Sequence, residues 1–306
     1  MWLLLAFLSA ALLGFYDVFK KRSLRENAVI PVLLINTVLC SLIFLPLIVG
    51  SLSGEIAAGT GWYIPSGDLL AHGYVVLKSV IVLSSWICGY FAIKHLPLTI
   101  VGPINASRPV MTLLGALFIY GERLNIWQWA GVLLAILSFF LLSRSGKKEG
   151  INFKKNRWIF LLVIAAILGS CSGLLDKYLL APTACGGVGM DKMFVQGWYN
   201  LYQAIMMFFV LVFLWLPIRG KTTPFQWRWS IVFISIFLTA ADLAYFYALS
   251  QPGAMISVVS MVRRSSVLVS FLFGALVFHE KNLKAKAFDL FLVLLGVICL
   301  YIGTSV

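Results

Sequence analysis

GYFAIKHLP at residues 89–97 and AYFYALSQP at residues 244–252 are two copies of one pattern: an apolar run carrying a tyrosine, a short turn, then a proline. Tyr90 and Tyr245 hold the same place, 155 residues apart (245 − 90). Upstream, Leu13-Gly14 is answered by Leu168-Gly169 at the same spacing (169 − 14 = 155). Downstream, LLGALFIYGE ends at Glu122 and LFGALVFHE at Glu280, 158 apart, which leaves a three-residue insertion in the second copy (158 − 155). A basic, polar stretch lies between the copies. The chain therefore divides into a first repeat at 1–143, a linker at 144–157 and a second repeat at 158–306.

Around these motifs the chain is a succession of apolar runs, at 2–19, 30–49, 74–93, 99–119, 127–142, 158–180, 196–216, 229–250, 254–278 and 285–302. About 20 apolar residues span a bilayer as a helix, and only internally bonded backbone survives in hydrocarbon. Of the 306 residues, 61% are hydrophobic and 11% charged, with mean hydropathy +0.97, far from the charged surface a soluble domain needs. Aromatics such as Trp62, Trp127, Trp158, Trp198 and Trp229 sit at the ends of runs, where interfacial anchors belong. The expected fold is all-α and integral to the membrane, ten transmembrane helices in two five-helix repeats. Five is odd, so the second repeat must lie inverted relative to the first, an arrangement that places a solute site at mid-membrane between halves. The turns at 93–99 and 250–254 are short enough to make tight helical hairpins.

The net charge of +13 sits mostly in alternate loops, at residues including Lys20, Lys21, Arg22, Arg25, Lys94, Arg157, Arg219, Lys221, Arg228, Lys284 and Lys286. The opposite side has Arg123, Lys177 and Lys192. Positive loops stay inside, so both termini are expected on the non-cytoplasmic face of a plasma (inner) membrane. This distribution favours membrane topology over nucleic-acid binding. Residues 2–19 lack a basic start and run directly into Lys20, which reads as a first span and not a cleaved signal. The five cysteines show no metal spacing and read as apolar packing residues.

Together the hairpin motif at Tyr90–Pro97 with its echo at Tyr245–Pro252, and Gly115…Glu122-Arg123 with its echo Gly274…Glu280-Lys281, resemble the two repeats of the EamA family of the drug/metabolite transporter superfamily. The resemblance covers nearly the whole chain. It implies a ten-helix fold and gradient-driven transport or exchange of small metabolites. It also implies that both termini often face inward, opposite to the charge count.

Charged groups at bilayer depth are costly and mark function by default. Arg108, Asp242, Arg263 and Arg264 fall near the middle of spans. Arg108 lies in GPINASRP, where Pro103 and Pro109 each remove a backbone donor, and Asn105 sits one turn earlier on the same face. Arg108 and Arg263 are again 155 apart (263 − 108), so the repeats would bring them together. Arginine binds carboxylate and phosphate through paired donors, so the expected substrate is an organic anion or zwitterion. The pair in MVRRSS is also similar to the basic pair on the ninth helix of triose-phosphate and nucleotide-sugar translocators. Tyr90 and Tyr245 complete the expected substrate-binding set, with Trp86, Tyr199 and Gln203 as further lining candidates that more often serve packing. Asp242 is expected to pair with Arg263 or Arg264, or to couple transport to protons. Asp17 with Lys20, and Asp176 with Lys177, hold matching places near helix ends, where they would gate the pathway or pair locally.

The expected function is a secondary transporter working by alternating access, with a small-molecule substrate and membrane lipids as partners and no nucleic acid, cofactor or metal. No GxxxxGK[ST] loop occurs, which argues against direct use of ATP. A flippase for a lipid with an anionic head group is the alternative. A membrane-embedded enzyme ranks lower, because the spans hold no nucleophile–base or metal cluster.

Overall fold

The structure is a computed structural model that describes residues 2–108, 111, 125–147, 155–180, 183, 187–250, 262–263, 265–277 and 283–305. These residues form helices α1 (Trp2–Leu24), α2 (Val29–Leu52), α3 (Leu69–His95), α4 (Leu98–Ala106), α5 (Ile126–Lys147), α6 (Arg157–Leu180), α7 (Lys192–Phe209), α8 (Ser230–Ser250), α9 (Ser266–Leu276) and α10 (Leu283–Ser305). No strand occurs among them. Segments Val29–Leu52, Leu69–His95, Arg157–Leu180 and Lys192–Lys221 are long and apolar enough to cross a membrane. The last reaches its length because α7 passes into a π-helical turn, Val210–Trp215, and then a 3-10 turn, Leu216–Lys221.

Local chemistry sets several helix starts. Asp68 caps α3 by accepting from Ala71 N at 2.8 Å. Asp191 caps α7 by accepting from Met193 N at 2.7 Å and Phe194 N at 3.1 Å. Such caps satisfy backbone donors that the first turn leaves bare. Pro97 fixes the α3–α4 turn: Leu96 and Pro97 are extended, ψ 150° and 144°, so the chain reverses between two helices without a loop.

Helices pair across the two halves of the sequence. α1 lies along α8, α3 along α6, α2 along α7, α5 along α10, and α4 crosses α9. Glycines permit the closest crossings. A Cβ on Gly14 would stand 2.3 Å from Val269 Cβ, and one on Gly102 would stand 2.9 Å from Val267 Cγ1. The common core joins Leu24, Leu33, Ile93, Ile104, Leu162 and Ile234 from six different helices.

Polarity runs inside out. Leu42, Phe140, Phe160, Phe208, Phe213, Leu268 and Phe291 are exposed, whereas Ser9, Asn27, Asn36, Thr37, Gln196, Asn200, Gln203 and Ser235 are buried. In water this would be unstable; in lipid it is the required arrangement, since apolar side chains face hydrocarbon and polar ones find partners within. The chain is a multi-pass membrane protein.

One end of the bundle gathers basic residues from several loops. Lys21 Nζ donates to the carbonyls of Ile93 and Leu96, Lys94 Nζ to Thr223 Oγ1 at 2.8 Å, and Arg228 Nη1 to the Arg22 carbonyl at 3.0 Å. Asn27 fastens the α1–α2 turn to the segment before α8: its amide donates to the Ser23 and Gln226 carbonyls and its oxygen accepts from Ala28 N and Gln226 N.

Two loop assignments from the sequence need correction. The first helix runs on past Phe19 to Leu24, and Lys20 is 6% exposed inside the bundle. Lys286 likewise lies within α10, fully buried. A lysine's long apolar stem lets the residue extend a spanning helix where a run-length reading stops it. Of the linker at 144–157, the first residues belong to α5, which ends at Lys147.

Candidate functional site

Two groups of charged and aromatic side chains occupy the bundle interior. In the first, Lys20 Nζ pairs with Asp17 Oδ1 at 2.6 Å, one turn apart on α1. Its ammonium lies 4.0 Å from the Tyr16 ring centre and 5.2 Å from that of Tyr90. Tyr16 donates to the Tyr90 hydroxyl at 3.4 Å, which ties α1 to α3. Ser270 of α9 donates to the other carboxylate oxygen, Asp17 Oδ2, at 3.4 Å.

Arg108 follows α4 and reaches this group. Its guanidinium lies against Gly169 of α6, where a Cβ would come within 2.8 Å of Nη1 and 3.0 Å of Cζ. The absence of a side chain at Gly169 makes the space that the guanidinium occupies. Ser170 Oγ donates to the Arg108 carbonyl at 3.2 Å and fixes the backbone there. Asp17, Tyr16 and Lys20 are close enough to act on Arg108 electrostatically. Asn105, one turn back, holds its Oδ1 buried with no hydrogen-bond partner among the described residues.

The second group centres on Arg263. Its Nη2 pairs with Asp242 of α8, and its guanidinium lies 4.3 Å over the Tyr245 ring. Asp242 and Tyr245 are one turn apart on α8, so one helix face supplies both contacts. Tyr199 of α7 is within electrostatic reach of Asp242, Asp176 and Arg263. Lys78 of α3 pairs with Asp176 of α6 and lies 5.1 Å from the Tyr199 ring centre.

Asp242, expected to pair with Arg263 or Arg264 or to couple protons, pairs with Arg263, and Asp17 pairs with Lys20. Asp176 pairs with Lys78, ninety-eight residues away in sequence. Packing of α3 against α6 brings the two together. The side chain of Lys177 lies outside the described residues, as do Arg264, Glu122, Arg123, His279, Glu280, Lys281 and Cys185. Tyr90 is nearly fully buried, held by Tyr16, whereas Tyr245 is partly open.

Two features escaped the sequence. On α7, Gln196 and Asn200, which the sequence reading did not single out, join the lining candidates Tyr199 and Gln203 in a buried stripe at helical spacing, while Ile205, Phe208 and Phe209 are exposed. Its signal was present in the i, i+3, i+4, i+7 spacing, but hidden within a run read as uniformly apolar. On α10, Lys286 and Asp289 are buried one turn apart, and Ser138 of α5 donates to the Asp289 carbonyl at 2.7 Å. Asp289 stood visibly inside an apolar run. Among the described residues no cluster of His, Cys, Asp and Glu suits a metal ion.

No curated protein matches the sequence. Among solved structures, the chain is similar to a protein of known crystal structure over 99% of its own length and 98% of the other's, with TM-score 0.61 and 16% identity. That likeness is one of fold. The model of the EamA-like transporter family matches residues 1–144. The match lies in the first part of an all-helical bundle with an apolar exterior and a polar, charged interior, and over those residues the chain is similar to the EamA-like transporter family.

Proposed function

We propose that this protein is a secondary transporter for a small organic anion or zwitterion, and that Arg108, Arg263, Asn105 and Tyr245 contact the solute. The observation that carries the reading is the position of the two guanidinium groups inside a bundle whose outside is apolar. Interior arginine keeps its charge and offers a planar fork to carboxylate or phosphate. Asp242 holds Arg263 in place and competes with the solute for it. That exchange gives a step in which solute binding loosens α8 from the segment before α9.

The fold fits ten spans in two inverted five-helix repeats. Exchanging α1–α5 with α6–α10 leaves the five pairings named above unchanged: α1–α8 becomes α6–α3, while α2–α7, α4–α9 and α5–α10 map onto themselves. Such pairing supports alternating access, in which one set of helices rocks against the other around the central site. The Asp17–Lys20 and Lys78–Asp176 pairs act as gates on either side of it. The basic end of the bundle faces the cytoplasm of a plasma membrane and both termini face out. The machinery carries and does not catalyse.

A thermal-shift screen of purified protein against carboxylate- and phosphate-bearing metabolites tests the reading, with Arg108→Gln beside the wild type. Stabilisation by at least one anion in the wild type, lost in the variant at equal expression, is expected. Equal stabilisation of both proteins removes Arg108 from the site.

A further inference from the structure

Buried polar atoms normally find partners, so those left bare need a reason. Asn36 Nδ2, Ser41 Oγ, Trp198 Nε1 and both amide atoms of Gln203 are buried without a hydrogen-bond partner among the described residues. All four residues lie on α2 and α7, which pack against each other. Gln203 is 0% exposed, and neither its donor nor its acceptor finds a partner among the described residues. It belongs to the α7 stripe, one turn from Tyr199, which lies in the field of the Asp242–Arg263 pair. Asn36 and Asn200 are also buried on the same two helices. Packing alone would be served better by leucine at position 203, since a sealed and unpaired amide opposes the closed arrangement.

We infer that the α2–α7 seam is dry only in this closed conformation, and that it opens to form one wall of the solute passage, with Gln203 as its hydrogen-bonding contact. The inference rests on the transporter reading and deepens it. A carboxamide offers one donor and one acceptor side by side. It suits a solute region that both accepts and donates, such as an amino or amide group beside the anionic end held by arginine. The seam's bare groups are satisfied by water or solute when it parts, which offsets the packing lost there.

The test is reaction with a membrane-impermeant methanethiosulfonate in a full-length background whose five native cysteines are replaced by alanine. Cysteine is placed one position at a time in Gln203→Cys, Asn200→Cys, Tyr245→Cys and Ile205→Cys. Ile205 is on the exposed apolar face of the same helix. Only a hydrated thiol ionises and reacts, so Gln203→Cys is expected to react on the order of ten times faster than Ile205→Cys. Asn200→Cys supplies the same readout should Gln203→Cys fail to fold. Stripe cysteines no faster than Ile205→Cys overturn the inference. If Tyr245→Cys reacts in that case, the passage exists but bypasses α7; if it is also inert, the passage itself is refuted.

Discussion

Gly14 and Gly169 each follow a leucine and stand 155 residues apart (169 − 14), yet a single added methyl should injure the protein in different ways at the two. An alanine Cβ at residue 14 would meet Val269 Cβ at 2.3 Å, Val269 Cγ1 at 2.7 Å and the Ser266 carbonyl oxygen at 3.0 Å. Unstrained carbon contacts lie at about 3.5–4.0 Å, so the shortfall against Val269 Cβ is about 1.2–1.7 Å. A Cβ moves only with its backbone, so α1 and α9 must separate. Overpacking of this kind costs about 1–3 kcal/mol, a fall in melting temperature of about 2–12 °C by soluble-protein scaling. At residue 169 the new Cβ would meet Arg108 Nη1 at 2.8 Å and Cζ at 3.0 Å, the far end of a flexible side chain. The guanidinium swings aside, the melting temperature changes little, and the response to anions is lost. Scanning fluorimetry in detergent, with and without the anions found by screening, measures both. Val269→Ala should not rescue Gly14→Ala, because the struck Cβ remains; Val269→Gly should, less about 1 kcal/mol for glycine within a helix. A Gly14→Ala protein that melts with the wild type refutes this account of the α1–α9 crossing.

The remaining expectations concern ion pairs and the basic end. Lys78 has 8% of its side chain exposed and Asp176 has 38%, so the two are not equivalent. Asp176→Ala strands a buried ammonium and costs about 3 kcal/mol, whereas Lys78→Met leaves a carboxylate that water reaches and costs under about 1 kcal/mol; equal losses by thermal denaturation contradict the geometry. Asp242→Asn releases Arg263 from its counter-ion, so affinity for anions should rise while turnover falls in proteoliposomes; unchanged affinity and turnover exclude competition between Asp242 and solute. Asn27→Ala removes four hydrogen bonds across the basic end, worth about 1 kcal/mol each at most, and lowers the melting temperature without altering anion affinity.

Much of the architecture was legible in sequence because lipid imposes a simple rule: each span must be a long apolar helix. The spacing of 155 aligns Arg108 with Arg263 in sequence, and the one-turn spacing of Asp17 and Lys20 puts them on one face of α1, where they pair. Pairing of Asp242 with an arginine followed from the cost of an isolated charge at that depth. What stayed hidden depends on rotation and on distant partners. Lys20 and Lys286 read as loop cations because each stands at the edge of an apolar run, yet each is buried within a helix. Lys78 finds Asp176 through packing of α3 against α6, which no local pattern encodes. The α7 stripe needed the helix to be wound before four scattered polar residues fell on one side.

The claim on which the account depends is that interior guanidinium groups carry an anion across the bilayer. Uptake of the anion identified by screening, into proteoliposomes without ATP, measures it directly, with Arg108→Gln and Arg263→Gln reconstituted at equal density. The account predicts saturable uptake by the wild type and its loss in both variants. Uptake that persists undiminished in the two variants would contradict it.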